Sequence, residues 1–231
     1  MRQADAGFGL IELMIAMTLG LLLVLGMTQV FLSARQTSLA QTASAQLQED
    51  ARYVLSKIAQ EIRMAGMFGC LPLTQIINAP AAFGTPVSWQ GAARSGTLQM
   101  ISADVGPQSG KPDWTVVTDC KNHAQAFAGA QTGLGPGDIG FAVRRIAYRH
   151  AGGQLRSGST NAVLLDNVVA FDVSFGMADS VGSNAVVRYE YSPADSASIR
   201  SVRMVLTLRD PRSHVKDQTY HVVVAVRNRL G

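Results

Sequence analysis

The chain has 231 residues, 47% hydrophobic and 16% charged, with a formal net charge of +4 and a sequence pI of about 9.3. So low a charge content on so apolar a chain excludes long disorder, and two cysteines exclude a complete CxxC…CxxC metal site. The mildly basic balance is compatible with contact to nucleic acid or anionic lipid, but reads first as ordinary solvated strand faces.

Residues 1–7 form a short polar leader ending in Ala6-Gly7. Residues 8–34 read as an apolar helix, in which Leu13 to Ala34 is a run without a charge. At about 1.5 Å per residue that run spans about 33 Å, enough for a hydrocarbon core of about 30 Å. Glu12 is the one formally charged residue between Ala6 and Ala34. An acid deep in a bilayer costs about 2.5–3.5 kcal/mol, so it needs a partner, a task or a place at the headgroup level. A secretory signal fits poorly, because the small residues precede the apolar run instead of following it. Arg2, Asp5 and Arg35 leave the positive-inside rule nearly silent. Gly20 and Gly26 interrupt the helix at about 1 kcal/mol each relative to Ala.

Residues 35–66 continue the helix as an amphipathic segment, since no Pro occurs before Pro72. Leu47, Ala51, Val54, Leu55, Ile58, Ile62 and Ala65 recur at steps of three and four, which is one helix face. Gly66, Gly69 and Pro72 supply the stop. Residues 67–231 read as an antiparallel β-sheet domain with long loops. The segment 67–96 is loop-rich, TLQMIS (97–102) and WTVVTDC (114–120) are short strands, and 121–140 is loop. FAVRRIAYRH (141–150) is a strand, followed by a turn region at 152–160.

Four later segments alternate. Val169, Phe171, Val173 and Phe175 face one way. So do Val187, Tyr189 and Tyr191 in the next strand, Val202, Met204, Leu206 and Leu208 in the third, and Tyr220, Val222, Val224 and Val226 in the last. Alternation of this kind suits a sheet with one buried face. If the domain is exported, Cys70 and Cys120 favour a single disulfide closing a loop of about 50 residues.

Chemistry is sparse. GPGDIG (135–140) matches GxGxxG, but a loop precedes it and a strand follows, so it reads as a turn rather than a phosphate cradle. His123, Asp119 and Asp113 share a loop region without metal-ligand spacing. No nucleophile stands beside a recognisable His/Asp arrangement, so no enzyme, metal or cofactor is expected.

The distinctive stretch is therefore GFGLIE, Gly7 to Glu12. It resembles the class III signal of type IV prepilins and pseudopilins, in which Phe follows the cleaved Gly and Glu is fifth from the cut. Gly9 stands where that signal most often has Thr or Ser. Further along, Arg63, Ala65, Gly66, Gly69 and Cys70 in ARYVLSKIAQEIRMAGMFGC, together with LLDNVVAFDVSFG, SVRMVLTLRDPR and VAVRNRL, resemble the PilW family of minor pilins. That resemblance implies a pilin-like α+β fold, a long N-terminal helix packed on an antiparallel sheet. It implies cleavage between Gly7 and Phe8 by a membrane prepilin peptidase and N-methylation of Phe8. It implies that Glu12 pairs with a neighbour's new amine during assembly, and that the domain lies in the periplasm, anchored in the inner membrane, with Cys70 and Cys120 bridged. The implied partners are other minor pilins, the major pilin and a PilY-type tip adhesin. A minor, J-like pseudopilin of type II secretion would share the architecture. A membrane-anchored binding or adhesin module, including one that retains DNA, is the reading from another class.

Overall fold

The computed structural model describes residues 9–91, 96–104, 111–158, 161–180, 182–193 and 195–226. The leader 1–7, with Gly7, and Phe8 lie outside the described residues, as do 227–231 at the end of VAVRNRL.

A single helix, α1 (Leu10–Met64), accounts for the N-terminal quarter of the chain, and at about 1.5 Å per residue it is about 82 Å long. It ends where the Ala65 N–H still bonds Glu61 and Ile62, and Gly66 then adopts a φ of 86°, a conformation glycine reaches without steric cost. Strands follow in chain order: β1 (Ile76–Ile77), β2 (Val87–Gln90), β3 (Thr97–Ala103), β4 (Trp114–Thr118), β5 (Ala124–Ala128), β6 (Ile139–Ala151), β7 (Gln154–Ser157), β8 (Ala162–Leu165), β9 (Val168–Ala178), β10 (Val186–Glu190), β11 (Ile199–Leu208) and β12 (Gln218–Ala225).

These strands form two sheets. The larger runs β1-β5-β4-β6-β3-β2, with β7 beside the far half of β6 and β8 beside β7; the smaller runs β10-β9-β11-β12. All described pairings are antiparallel except β1 with β5. The expected long helix on an antiparallel sheet is thus observed, with one sheet divided into two.

Helix α1 lays the expected stripe, Leu47, Ala51, Val54, Leu55, Ile58 and Ile62, into the main core, with Ala59 added. Phe171, Val173 and Phe175 of β9 and Val202, Met204, Leu206 and Leu208 of β11 meet it from the smaller sheet. Leu98, Met100, Tyr148 and Leu155 meet it from the larger one. The helix therefore joins the two sheets. A second core lies on the opposite face of the larger sheet, where Phe68, Ile76 and Phe83 cover Ile101, Val116, Ala126 and Val143. Phe68 stacks on Phe83, and Trp114 meets Phe83 edge-on at 5.5 Å.

Several loop expectations are corrected. Residues 67–96 contain β1 and β2, residues 121–140 contain β5, and the turn region 152–160 holds the whole of β7. Gly152 and Gly153, at φ 61° and 73°, form a two-residue turn between β6 and β7, the geometry that matches the twist of hairpin strands. β1 is only two residues long, and β2, β5 and β7 are short and carry Ala, Gln and Ser, so they give too little apolar alternation to mark a strand in sequence.

Two face assignments also change. Val168 is buried and Val169 is 38% exposed, because the pairing of β9 with β11 slips one residue between Thr207 and Leu208; a bulge reverses the alternation behind it. Val187, Tyr189 and Tyr191 are exposed: Glu190, not Tyr189, stands opposite the buried Phe175, so Tyr189 falls on the face away from the core, and a register shift lies between Val186 and Arg188.

Candidate functional site

Sixteen large apolar side chains between Leu10 and Leu32 are exposed, from 50% at Leu32 to 75% at Leu10. Burying each such side chain is worth about 1.5 kcal/mol or more, so the segment forgoes more than about 20 kcal/mol when nothing covers it. The helix is long and apolar enough here to cross a bilayer. A Cβ at Gly20 or Gly26 would meet open space, so nothing among the described residues requires glycine at either position. Further along, Ser44 bonds Gln218 and the buried stripe begins at Leu47, where the helix enters the domain core.

Glu12 lies in the first turn of α1. Its Oε2 accepts the Gly9 N–H at 3.2 Å, and Gly9 is extended, with φ −73° and ψ 146°. An acid at this place complements the unpaired amides and positive dipole end of the helix. The carboxylate is thus drawn back toward the start of the chain, onto Gly9, the second residue after the expected cleavage point. Gly7 and Phe8 themselves are outside the described residues.

Cys70 and Cys120 are joined as a disulfide with Cα atoms 5.4 Å apart. The bond ties the segment leaving α1, which carries Phe68, to the turn between β4 and β5. That turn is built by Asp119, whose Oδ1 accepts the N–H groups of Lys121, Asn122 and His123, each at 2.9 Å. The His123 bond, then those of Lys121 and Asn122, hold the Asp119 carboxyl down at a pKa of about 2. Cys120 sits at φ 57°, and its N–H reaches the Thr118 hydroxyl.

Asp119 is therefore committed to its own backbone, and Asp113 accepts the Arg145 N–H at 2.8 Å; neither converges with the other on a shared point. Among the described residues no group of three His, Cys, Asp or Glu side chains is arranged to hold a metal. GPGDIG forms a turn, with Gly137 at φ 86° and the Asp138 N–H on the Gly135 carbonyl, and it leads into β6 rather than a helix.

Sequence reasoning missed the polar clamps between helix and sheet. The Tyr148 hydroxyl, fully buried on β6, donates to Glu61, whose other oxygen takes Lys57 at 3.0 Å. Burial, and then the Glu61 charge, push the Tyr148 hydroxyl's pKa upward, which keeps it a donor. Arg144 pairs with Asp104 at 3.0 Å and bonds the Lys111 carbonyl. Tyr148 does fall on the apolar side of β6, but nothing local in sequence pairs it with a residue 87 positions earlier.

A family described as "Prokaryotic N-terminal methylation motif" matches residues 2–28. No curated protein matches the chain. Among solved structures, a type IV-like pilin from Thermus thermophilus is similar over 80% of this chain and 97% of its own, at 12% identity and a TM-score of 0.44, a likeness too loose to build on.

Proposed function

We propose that this chain is a minor pilin that helps initiate type IV pilus assembly and sits at or near the pilus tip with other minor pilins. The coarser part, a pilin or pseudopilin role, is supported by one combination. The methylation motif matched over residues 2–28 lies on a helix whose first half is apolar, exposed and outside the domain core. The finer part is supported by the PilW-like segments around Arg63–Cys70 and in the strands. On this reading prepilin peptidase cuts after Gly7 and the new amine of Phe8 is methylated. Residues 8–34 span the inner membrane, and the disulfide-bonded domain lies in the periplasm before assembly and on the pilus afterwards. The major pilin and a PilY-type tip adhesin are the remaining partners.

Glu12 then has a task. Cleavage leaves a positive amine at the head of an apolar helix. As the subunit moves from lipid to a core of packed helices, a neighbour's Glu12 pairs with that amine. In low dielectric the attraction far exceeds its value in water, and desolvation of both ions offsets much of it. The pair therefore sets axial register more than it adds net stability.

The experiment is the N-terminal sequence and intact mass of the protein from its own membranes, with and without prepilin peptidase. A peptidase-dependent start at methylated Phe8 is expected. A chain that still begins at Met1 in normal cells, or one cut beyond the apolar run, overturns the reading.

A further inference from the structure

The outer face of the larger sheet is divided. One half is covered by Phe68 and Phe83; among the described residues the other is open and polar. Arg145 and Arg149, four residues apart on β6, point to this side and are exposed. Arg156 of β7 stands directly opposite Arg149 in register, so it shares the face. Gln99 and Thr97 of β3 lie beside them, opposite Ala147 and Arg149. Strands β2, β3, β6, β7 and β8 contain Arg144, Arg145, Arg149, His150 and Arg156 and no Asp or Glu. Arg144 turns to the other face and is neutralised by Asp104.

Like charges directly opposite on neighbouring strands destabilise a sheet. Arg149 against Arg156 is such a pair, and no described carboxylate forms an ion pair with Arg145, Arg149 or Arg156. The side chains are held for use. Arg156 is braced by donating two bonds to the side-chain Oε1 of Gln154. Arg145 lies over the Trp114 ring at 5.4 Å, and the neighbouring Asp113 accepts the Arg145 backbone N–H. Arg149, Arg156, Thr97, Ala147, Gly158 and Asn161 line a shallow recess of about 200 Å³.

We propose that this face docks the phosphodiester backbone of a nucleic acid, without reading its sequence. Along β6 the two arginines are separated by about 13 Å, which suits a linear polyanion better than one small anion. Lipid headgroups are out of reach. Tyr148, the neighbour of Arg149, touches the helix at Glu61, and 27 residues of helix separate Glu61 from Ala34, about 40 Å at 1.5 Å per residue. That one exclusion rests on the membrane reading of the apolar run; the rest stands without it.

The test uses the full chain in neutral-lipid nanodiscs and a short fluorescent DNA duplex, read by anisotropy. Three phosphate contacts give a salt slope of about −2.7, hence about 40-fold weaker binding between about 50 and about 200 mM KCl. R149Q/R156Q leaves one contact, and the same salt change should then weaken binding only about 4-fold. R203Q, an exposed arginine on β11 of the other sheet, should bind like the parent. Because R149Q relieves a like-charge pair, its melting temperature should not fall. A lowered melting temperature in R149Q, or unchanged duplex affinity in R149Q/R156Q, overturns the proposal. Displacement by polyglutamate as effective per charge as by unlabelled DNA assigns the face to an acidic protein instead. Capture of phosphatidylglycerol vesicles that is lost in R149Q/R156Q assigns it to lipid. Either result also overturns the proposal.

Discussion

Removing the disulfide tests how the segment leaving α1 is held to the larger sheet. Cys70 and Cys120 close a loop of 50 residues. In the chain-entropy treatment, a loop of that size lowers the entropy of the unfolded chain by about 14 cal/mol/K, or about 4 kcal/mol at 25 °C. For a domain of this size, each kcal/mol moves the melting temperature by about 2–4 °C. The double variant C70A/C120A should therefore melt about 8–16 °C below the parent, followed by circular dichroism of the full chain in detergent. Dithiothreitol should lower the parent by the same amount and leave the variant unmoved. The loosened region should be the segment after α1, where Phe68 stacks on Phe83 and the Ala103 N–H bonds the Met67 carbonyl. Faster amide exchange at Ala103 than in β11 would report that opening. A shift under about 2 °C, or equal loosening of both sheets, would refute the loop-closure reasoning.

Three further outcomes are expected. Ile58→Ala, at a fully buried position between helix and sheets, should cost about 2–5 kcal/mol by urea unfolding; a cost below about 1 kcal/mol would show that the helix stripe is not a packed core. Glu12→Ala should leave peptidase cleavage intact and strongly reduce surface pili counted by electron microscopy, and normal piliation would remove Glu12 from assembly. Asp119 contributes stability that is complete above its unfolded pKa of about 3.9 and is lost as pH falls toward its folded value of about 2. Amide protection at Lys121, Asn122 and His123, taken relative to the intrinsic exchange rate at each pH, should accordingly fall across that window and stay constant there in D119A.

The helix stripe was legible in sequence because a helix repeats locally. Leu47, Ala51, Val54, Leu55, Ile58 and Ile62 declare their face through spacing alone, whatever they pack against. The strands β9, β11 and β12 were legible for the same reason at a period of two, until the bulge at Val169 displaced one residue that no pattern marks. Glu12 and the uncharged run after it identify themselves by cost, since an acid beside so long an apolar helix demands an account.

What sequence could not supply is everything decided by pairing between distant segments. Short strands such as β5 and β7 exist because neighbouring strands offer hydrogen bonds, and their Ala, Gln and Ser residues have little preference of their own. The split into two sheets, the parallel pairing of Ile76 with Ala124, the Tyr148–Glu61 clamp and the opposition of Arg149 to Arg156 all depend on registers fixed by tertiary packing. The sequence alone determined an apolar helix with one acid, an amphipathic continuation and a β domain. Only the tertiary structure decided which side chains face one another across that domain, because contact energies between segments far apart in the chain leave no local periodic trace.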